Sequence, residues 1–125
     1  MFALELQKYL MYIAMEEAEA AIQRGDDPYG GVITDRDGNI IVRNGNRENT
    51  LGDPTAHAEV VLIRECCSKL KTNNLDDYVM ICNYRSCPMC TAAMIQTGIR
   101  TFYIGSAMPA FFSLAEQISE IMGIA

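Results

Sequence analysis

The sequence predicts a three-layer α/β fold, in which a small mixed sheet is flanked by helices. The chain has 125 residues, enough for one domain that buries a single core without disulfides. Half of the residues are apolar and 21% are charged, which excludes disorder of the whole chain. Helix-like and strand-like segments follow one another in the order α-β-β-α-β-α-β-α. We therefore expect one domain over residues 1–125.

A helix and a hairpin are predicted in the first third of the chain. Apolar residues recur at helical spacing from Phe2 to about Arg24, and Gly25 is expected to end this helix. The β-rich runs 31–34 and 40–43 lie on either side of a polar turn that contains Gly38. Because glycine readily adopts the positive φ of such turns, these runs are typical of a β-hairpin.

Two helix starts are predicted in the rest of the chain. Asp53 before Pro54 is typical of an N-cap followed by the first helical position, and Ser86 with Pro88 repeats this pattern. Gly98 is expected to end the helix that starts near Cys87. The predicted elements are a helix from Asp53 to Leu70, a strand over Tyr78 to Asn83, a helix from Cys87 to Thr97, a strand over Thr101 to Ile104 and a helix from Phe111 to Met122.

Charge and hydropathy bear on the partners of the protein. The formal net charge is −6 and the pI is about 4.6. Lys and Arg do not cluster, so we expect a small molecule as the partner and not a nucleic acid. No apolar run reaches the roughly 20 residues of a membrane span, and the N-terminus lacks the pattern of a signal peptide. The expected location is the cytoplasm, without membrane association.

The five cysteines form an uneven set. In a cytoplasmic protein this favours metal-binding, catalytic or buried thiols over a disulfide framework. Cys66, Cys67 and Cys82 are interpreted as small buried apolar residues. Cys87 and Cys90 lie three apart at a predicted helix start, where the helix dipole favours thiolates.

The only histidine completes a candidate metal site. His57 with Cys87 and Cys90 would leave one tetrahedral position for water, as in catalytic zinc sites. Glu59 lies two residues after His57, where its carboxylate is placed to act as the general acid and base. Two other classes stay open. Cys87 and Cys90 also fit a thiol redox motif, and a zinc-binding or assembly module without activity has the same ligands.

These residues carry a resemblance to a known family. The segment 53–60, which contains His57 and Glu59, and the later Cys87-Pro88-Met89-Cys90 resemble the zinc-dependent nucleobase, nucleoside and tRNA deaminases of the cytidine deaminase superfamily. The segment 28–33 and Asn44-Gly45-Asn46 are similar to the same family, so the resemblance covers about residues 11–105. It implies a cytidine-deaminase-like fold.

The resemblance also implies roles for individual residues. His57, Cys87 and Cys90 would hold one zinc ion per chain, and Glu59 would shuttle protons while water replaces the ring amine and ammonia leaves. The implied contacts with the substrate ring come from four further residues, namely Asn46, the Ala58 N–H, the Ser86 carbonyl and Tyr29.

Two departures from the family pattern concern the substrate region. Arg85-Ser86 stands where the family usually has Glu-Pro, which changes the charge beside the first cysteine. The chain ends soon after the strand predicted at 101–104, where relatives often add a strand or a tail that closes the pocket. Phe111 and Phe112 are candidates to replace that closure.

The resemblance is strongest to the guanine deaminase and tRNA adenosine deaminase branches, where Ala follows the histidine ligand as Ala58 does here. Because the acidic chain lacks a basic cluster, we expect a free nucleobase or a related amino-substituted ring, with guanine first. Cytosine or cytidine and tRNA adenosine are the alternatives. Family members often complete their pockets with a neighbouring subunit, so a homodimer is expected.

Overall fold

The computed structural model describes residues 2–105 and the backbone of residues 110–112. Four helices and five strands lie in this part of the chain. In order, they are α1 (Leu4–Arg24), β1 (Gly30–Thr34), β2 (Ile40–Gly45), α2 (Glu48–Leu51), α3 (Ala58–Leu70), β3 (Val79–Cys82), α4 (Pro88–Gln96), β4 (Thr101–Ile104) and β5 (Ala110–Phe112).

The five strands form one mixed sheet in the order β2-β1-β3-β4-β5. β1 is antiparallel to β2 and β3, β3 is parallel to β4, and β4 is antiparallel to β5. The predicted hairpin is confirmed, with Gly38 at a φ of 87° in its turn. The parallel pair β3 and β4 is joined by α4, as a parallel connection requires.

Alternate residues of the central strands point to opposite faces of the sheet and belong to two different cores. This arrangement gives the three layers predicted from the sequence. Val32 and Ile81 face α1, where they pack with Leu10 and Ile13. The other side of the sheet faces α3 and α4, and its core consists of Ile33, Leu62, Ile63, Cys66, Leu75, Met80, Cys82, Met94, Ile99 and Phe102. Gly30 lets α1 approach the sheet, because a Cβ there would lie 2.3 Å from the Ala18 backbone nitrogen.

Two predicted helix starts are wrong. Asp53 does not cap a helix: its carboxylate accepts hydrogen bonds from the N–H and hydroxyl of Thr55, and residues 53–57 form turns. As a result, α3 starts at Ala58 with His57 as its N-cap. The cap of α4 is Cys87 and not Ser86, since Pro88 occupies the first helical position.

The helix predicted from Phe111 to Met122 is also wrong at its start. Residues 110–112 form the edge strand β5, with Phe102 opposite Phe112 and Ile104 opposite Ala110. Aromatic residues favour strands, and β4 offers an edge with free backbone groups for pairing. Residues 113–122 of that prediction lie outside the described residues.

Candidate metal centre and active site

The three candidate ligands lie at the starts of two helices. His57 has extended backbone angles, φ −66° and ψ 156°, and precedes the first turn of α3. Cys87 precedes α4, and Cys90 is buried in its first turn. The Cys87 Sγ accepts the Cys90 N–H at 3.5 Å, so the thiol already occupies the capping position. The N-terminal end of a helix is electropositive, so the start of α4 contributes a favourable field to both sulfurs.

The donor set fits zinc. The ligand atoms of His57, Cys87 and Cys90 all lie within 4.8 Å of one another, and the Cys87 Sγ is 3.5 Å from the His57 Nδ1. Zinc bonds of about 2.0–2.3 Å imply ligand separations of roughly 3.3–3.8 Å in a tetrahedron. One nitrogen and two sulfurs form the donor set of a catalytic zinc site, which keeps its fourth position for water.

Glu48 orients the imidazole, a role that the sequence did not predict. Its Oε1 lies 3.1 Å from the His57 Nε2, so this nitrogen donates to the carboxylate and Nδ1 faces the thiols. Such an outer carboxylate fixes the tautomer and the ring orientation of a metal ligand. Glu48 lies in the four-residue helix α2, nine positions before His57. No sequence spacing marks that relationship, because it depends on the fold of the connecting turns.

Asn46 supports Glu48 and does not border the cavity. Its Nδ2 donates to the Glu48 Oε1 at 2.8 Å, while its Oδ1 accepts the Glu48 N–H at 2.9 Å. The side chain is fully buried. Both amide atoms are therefore engaged behind His57, and the predicted contact of Asn46 with a substrate ring stays a prediction.

Glu59 is a buried carboxyl beside the ligand group. It lies in the first turn of α3 and is 6% exposed, yet it lines the same cavity as His57 and Cys87. Burial raises the pKa of the Glu59 carboxyl, and hydrogen bonds from its own backbone N–H and the Ser86 hydroxyl partly oppose this rise. Because its pKa is raised, the Glu59 carboxyl holds a proton more readily than an exposed glutamate does. This property suits a group that accepts and returns a proton.

Ser86 lines the cavity, and Ala58 adjoins His57 at the start of α3. Ser86 is buried. Its hydroxyl lies 3.2 Å from the Cys87 carbonyl and also contacts Glu59, and its single proton serves one of these two acceptors at a time. Ala58 is the first residue of α3, where a backbone N–H has no acceptor within its own helix. Their contacts with a substrate stay predictions.

The cavity has a volume of about 310 Å³. Tyr29 and Tyr84 line it and are together called the tyrosine wall. The rings of Tyr29 and Tyr84 lie 5.8 Å apart at an angle of 41°. Asn83 holds their two loops together, because it accepts the Gly30 N–H at 2.9 Å and donates to the Pro28 carbonyl at 3.1 Å. The predicted substrate residue Tyr29 thus borders the same cavity as the candidate ligands. The remaining lining residues are Asn83, Cys82, Arg85 and Ser86.

The cysteines are unbridged, and burial dominates the pKa shifts of the buried ones. All five cysteines are free. Burial raises the pKa of the Cys90 thiol, and the nearby Glu59 carboxylate and Cys87 raise it further. Burial likewise raises the pKa of Cys66 to about 11. A metal cation would compensate the charge of the buried Cys90 sulfur, and the redox alternative stays open.

Fold and site together define a cytidine-deaminase-like protein with a candidate zinc centre. A family model for the cytidine and deoxycytidylate deaminase zinc-binding region matches residues 4–106. The chain belongs to this family, as the resemblance implied.

The relatives include two kinds of deaminase. The chain is 38% identical over 101 residues to a tRNA-specific adenosine deaminase of Agrobacterium fabrum, covering 81% of the chain and 66% of the relative. It is 40% identical over 87 residues to a guanine deaminase of Bacillus subtilis, covering 70% and 53%. A solved structure from a study of A-to-I editing by tRNA:A34 deaminases matches with a TM-score of 0.75 and 37% identity, covering 78% of this chain and 74% of that one.

These relatives bear on two predictions about partners. The chain spans between about half and two thirds of the length of these two curated relatives. Because some of them are named for action on tRNA, the net charge of −6 does not exclude a nucleic acid, and that prediction is not supported. Within the described residues, no helix combines the length and the apolar character that a membrane span requires.

Proposed function

We propose that this protein is a zinc-dependent hydrolytic deaminase that removes an amino group from a purine ring and releases ammonia. The observation that supports the proposal is the shared cavity, where the ligand group His57, Cys87 and Cys90 lies beside the buried Glu59. A zinc ion in such a site supplies water of lowered pKa as the nucleophile.

The residues of this chain supply proton transfer and positioning. Glu59 accepts a proton from the attacking water and returns it to the leaving amine, so the ring carbon gains an oxygen and loses ammonia. The Ser86 hydroxyl holds the Glu59 carboxylate, and the tyrosine wall offers a surface on which a flat ring stacks. Glu48 and Asn46 keep the imidazole in the tautomer that leaves Nδ1 facing the thiols.

The relatives support a purine ring and leave two purines in competition. Guanine, the first expectation from the sequence, has the support of the Bacillus relative. Adenosine in tRNA has the support of the Agrobacterium relative. Cytosine and cytidine receive less support, because the two relatives with the highest identities above are named for purines. The expected homodimer and cytoplasmic location stay predictions.

A substrate panel tests the proposal. Zinc-loaded protein is incubated with guanine, adenine, cytosine, their nucleosides and an anticodon stem-loop RNA, and ammonia is measured. We expect release from a purine substrate and a loss of roughly 10²–10⁴-fold in Glu59→Gln, because one carboxylate carries the proton at both ends of the reaction. The zinc content of Glu59→Gln should equal that of the wild type.

Glu19→Gln is the matched control, since Glu19 is exposed on α1 and the change removes the same charge. Near-normal turnover in Glu59→Gln would remove this residue from the mechanism. A zinc-loaded wild type that releases no ammonia from any ring would overturn the proposed function. A metal-free protein with a reducible Cys87–Cys90 pair would favour the redox alternative.

A further inference from the structure

Arg85 lines the same cavity as Glu59. It lies on the connection between β3 and α4, two residues before Cys87, and its side chain is exposed. The buried Glu59 and two of the candidate ligands, His57 and Cys87, line the same cavity. A ring whose amine faces Glu59 therefore shares this cavity with the exposed Arg85 side chain.

The charge of Arg85 is not neutralised by the described part of the protein. Within residues 2–105, it makes no hydrogen bond or ion pair. Other arginines of this region do pair with carboxylates, namely Arg24, Arg36, Arg43 and Arg64. The free guanidinium keeps all of its N–H donors available, in a planar arrangement that matches phosphate oxygens.

The surroundings of Arg85 favour an anion. Apart from the buried Glu59, none of the described residues that line the cavity carries a carboxylate. The tyrosine wall of Tyr29 and Tyr84 supplies an uncharged stacking surface beside it. The chain has a net charge of −6, yet the unpaired group that lines this cavity is a cation. Such a group attracts an anionic substituent and adds a charged hydrogen bond to it.

We propose that the ring accepted by this cavity carries a phosphate, and that Arg85 is the specificity-determining residue that binds this phosphate. The inference rests on the proposed function and changes the first expectation, because a free base such as guanine has no phosphate. The phosphate belongs either to a mononucleotide or to the backbone of an RNA strand. Among the described cavity residues Arg85 is the only Lys or Arg, so the site binds one phosphate next to the ring.

Kinetics on matched substrates test the inference. The kcat/KM for ammonia release is measured for each purine as base, nucleoside and 5′-monophosphate, and for an anticodon stem-loop RNA. We expect the phosphate-bearing form to exceed the nucleoside by roughly 10- to 100-fold, the effect of one charged hydrogen-bonded contact. Arg85→Ala should lower this ratio to near one, and Arg85→Lys should restore part of it. A preference for the monophosphate identifies a nucleotide, and a preference for the stem-loop identifies a strand.

Arg100→Ala is the matched control. Arg100 is exposed and precedes β4, at the end of the sheet opposite the carboxyl end of β3 where the cavity lies. The change removes the same charge and should keep the ratio. A wild-type ratio near one, or an unchanged ratio in Arg85→Ala, would overturn the role of Arg85 and leave the proposed deaminase function standing.

Binding measurements test the phosphate site independently of turnover. Zinc-loaded Glu59→Gln protein, with and without Arg85→Ala, is titrated calorimetrically with each nucleoside and its monophosphate. We expect the monophosphate to bind more tightly by the same factor, and only when Arg85 is present. If this holds while no ring releases ammonia, the proposed function fails and the phosphate site stands. Equal affinities for nucleoside and monophosphate, or binding of neither, would contradict the phosphate site.

Discussion

At the scale of single residues, the orientation of His57 depends on side chains that a motif does not contain. The imidazole presents Nδ1 to Cys87 because Nε2 is bound to Glu48, and Glu48 is in turn held by Asn46. Loss of an outer carboxylate of this kind typically weakens metal binding by about 10- to 100-fold. Glu48 is therefore expected to control zinc affinity without being a ligand.

Glu48→Gln tests this expectation. The amide keeps the size of the side chain but loses the charge that strengthens the hydrogen bond to the Nε2–H. We expect zinc affinity, measured by competition with a chromophoric chelator, to fall by about 10- to 100-fold while the circular dichroism spectrum is retained. Glu19→Gln, which changes an exposed glutamate of α1, should bind zinc like the wild type. Unchanged affinity in Glu48→Gln would show that the 3.1 Å contact does not tune the ligand.

The candidate ligands were predictable from the sequence, whereas their supporting residues were not. His57, Cys87 and Cys90 belong to residue types that hold zinc, and the structure brings them together. Glu48 and Asn46 belong to a polar stretch where neither residue type is distinctive. Asn46 is buried and makes two hydrogen bonds to Glu48, while its contact with a substrate ring stays a prediction. Such placement depends on tertiary structure.

At the scale of secondary structure elements, the helix α2 also depends on tertiary contacts that the local sequence does not reveal. This helix has four residues, and its N-cap residue Arg47 provides no capping side chain. Its N-terminal amides are instead bound by Asp26, which follows the end of α1 and accepts the N–H groups of Asn49 and Thr50 at 3.0 and 2.8 Å. A sequence window cannot detect a cap that lies more than twenty residues away. α1, whose apolar spacing is continuous, was predicted within two residues at its start.

Asp26 makes the position of α2 sensitive to acid. Burial raises the pKa of its carboxyl, but hydrogen bonds from Thr50, Arg24 and Asn49 outweigh that effect and lower the pKa from 3.8 to about 2. Because the pKa is lower in the folded state, the stabilisation is fully present above pH 3.8 and is lost as the pH falls through about 2. Since α2 contains Glu48, we expect protonation of Asp26 also to weaken the positioning of Glu48 beside His57.

Asp26→Asn is expected to unfold at a lower urea concentration than the wild type at pH 7. The difference between the two midpoints should shrink as the pH falls from about 4 to about 2, because the wild-type carboxyl then becomes protonated. Asp27→Asn is the control, since Asp27 is exposed and its side chain makes no hydrogen bond or ion pair in the described structure. A midpoint difference that is independent of pH would mean that Asp26 acts through shape and not through charge.

At the scale of the whole molecule, the alternation of helices and strands was enough to predict the layers. Strand residues that alternate between two cores, such as Val32 and Ile33, carry a pattern that is visible in the sequence. The edge strand β5 was not predicted, because its short apolar run fits a helix start as well as a strand. Its pairing depends on the free edge of β4, which the local sequence does not reveal.

The candidate metal centre connects the starts of α3 and α4. His57 precedes α3, while Cys87 and Cys90 belong to the start of α4, so one ion would tie both helix starts together. A ligand that binds only the folded state stabilises it according to its concentration relative to Kd. For a thousandfold excess over Kd, the melting temperature of a domain of this size should rise by about 10 °C or more.

Thermal unfolding with and without zinc tests this link. Protein stripped with a chelator should melt at the lower temperature, and added zinc should restore the higher one. Cys90→Ala should lose most of the zinc-dependent shift, because one of three ligands is gone and the remaining donors bind the ion weakly. Cys67→Ala is the matched control, since it removes a half-buried thiol outside the ligand group and should keep the shift. A full zinc-dependent shift in Cys90→Ala would mean that this thiol is not a ligand, and the assignment of the metal centre would be wrong.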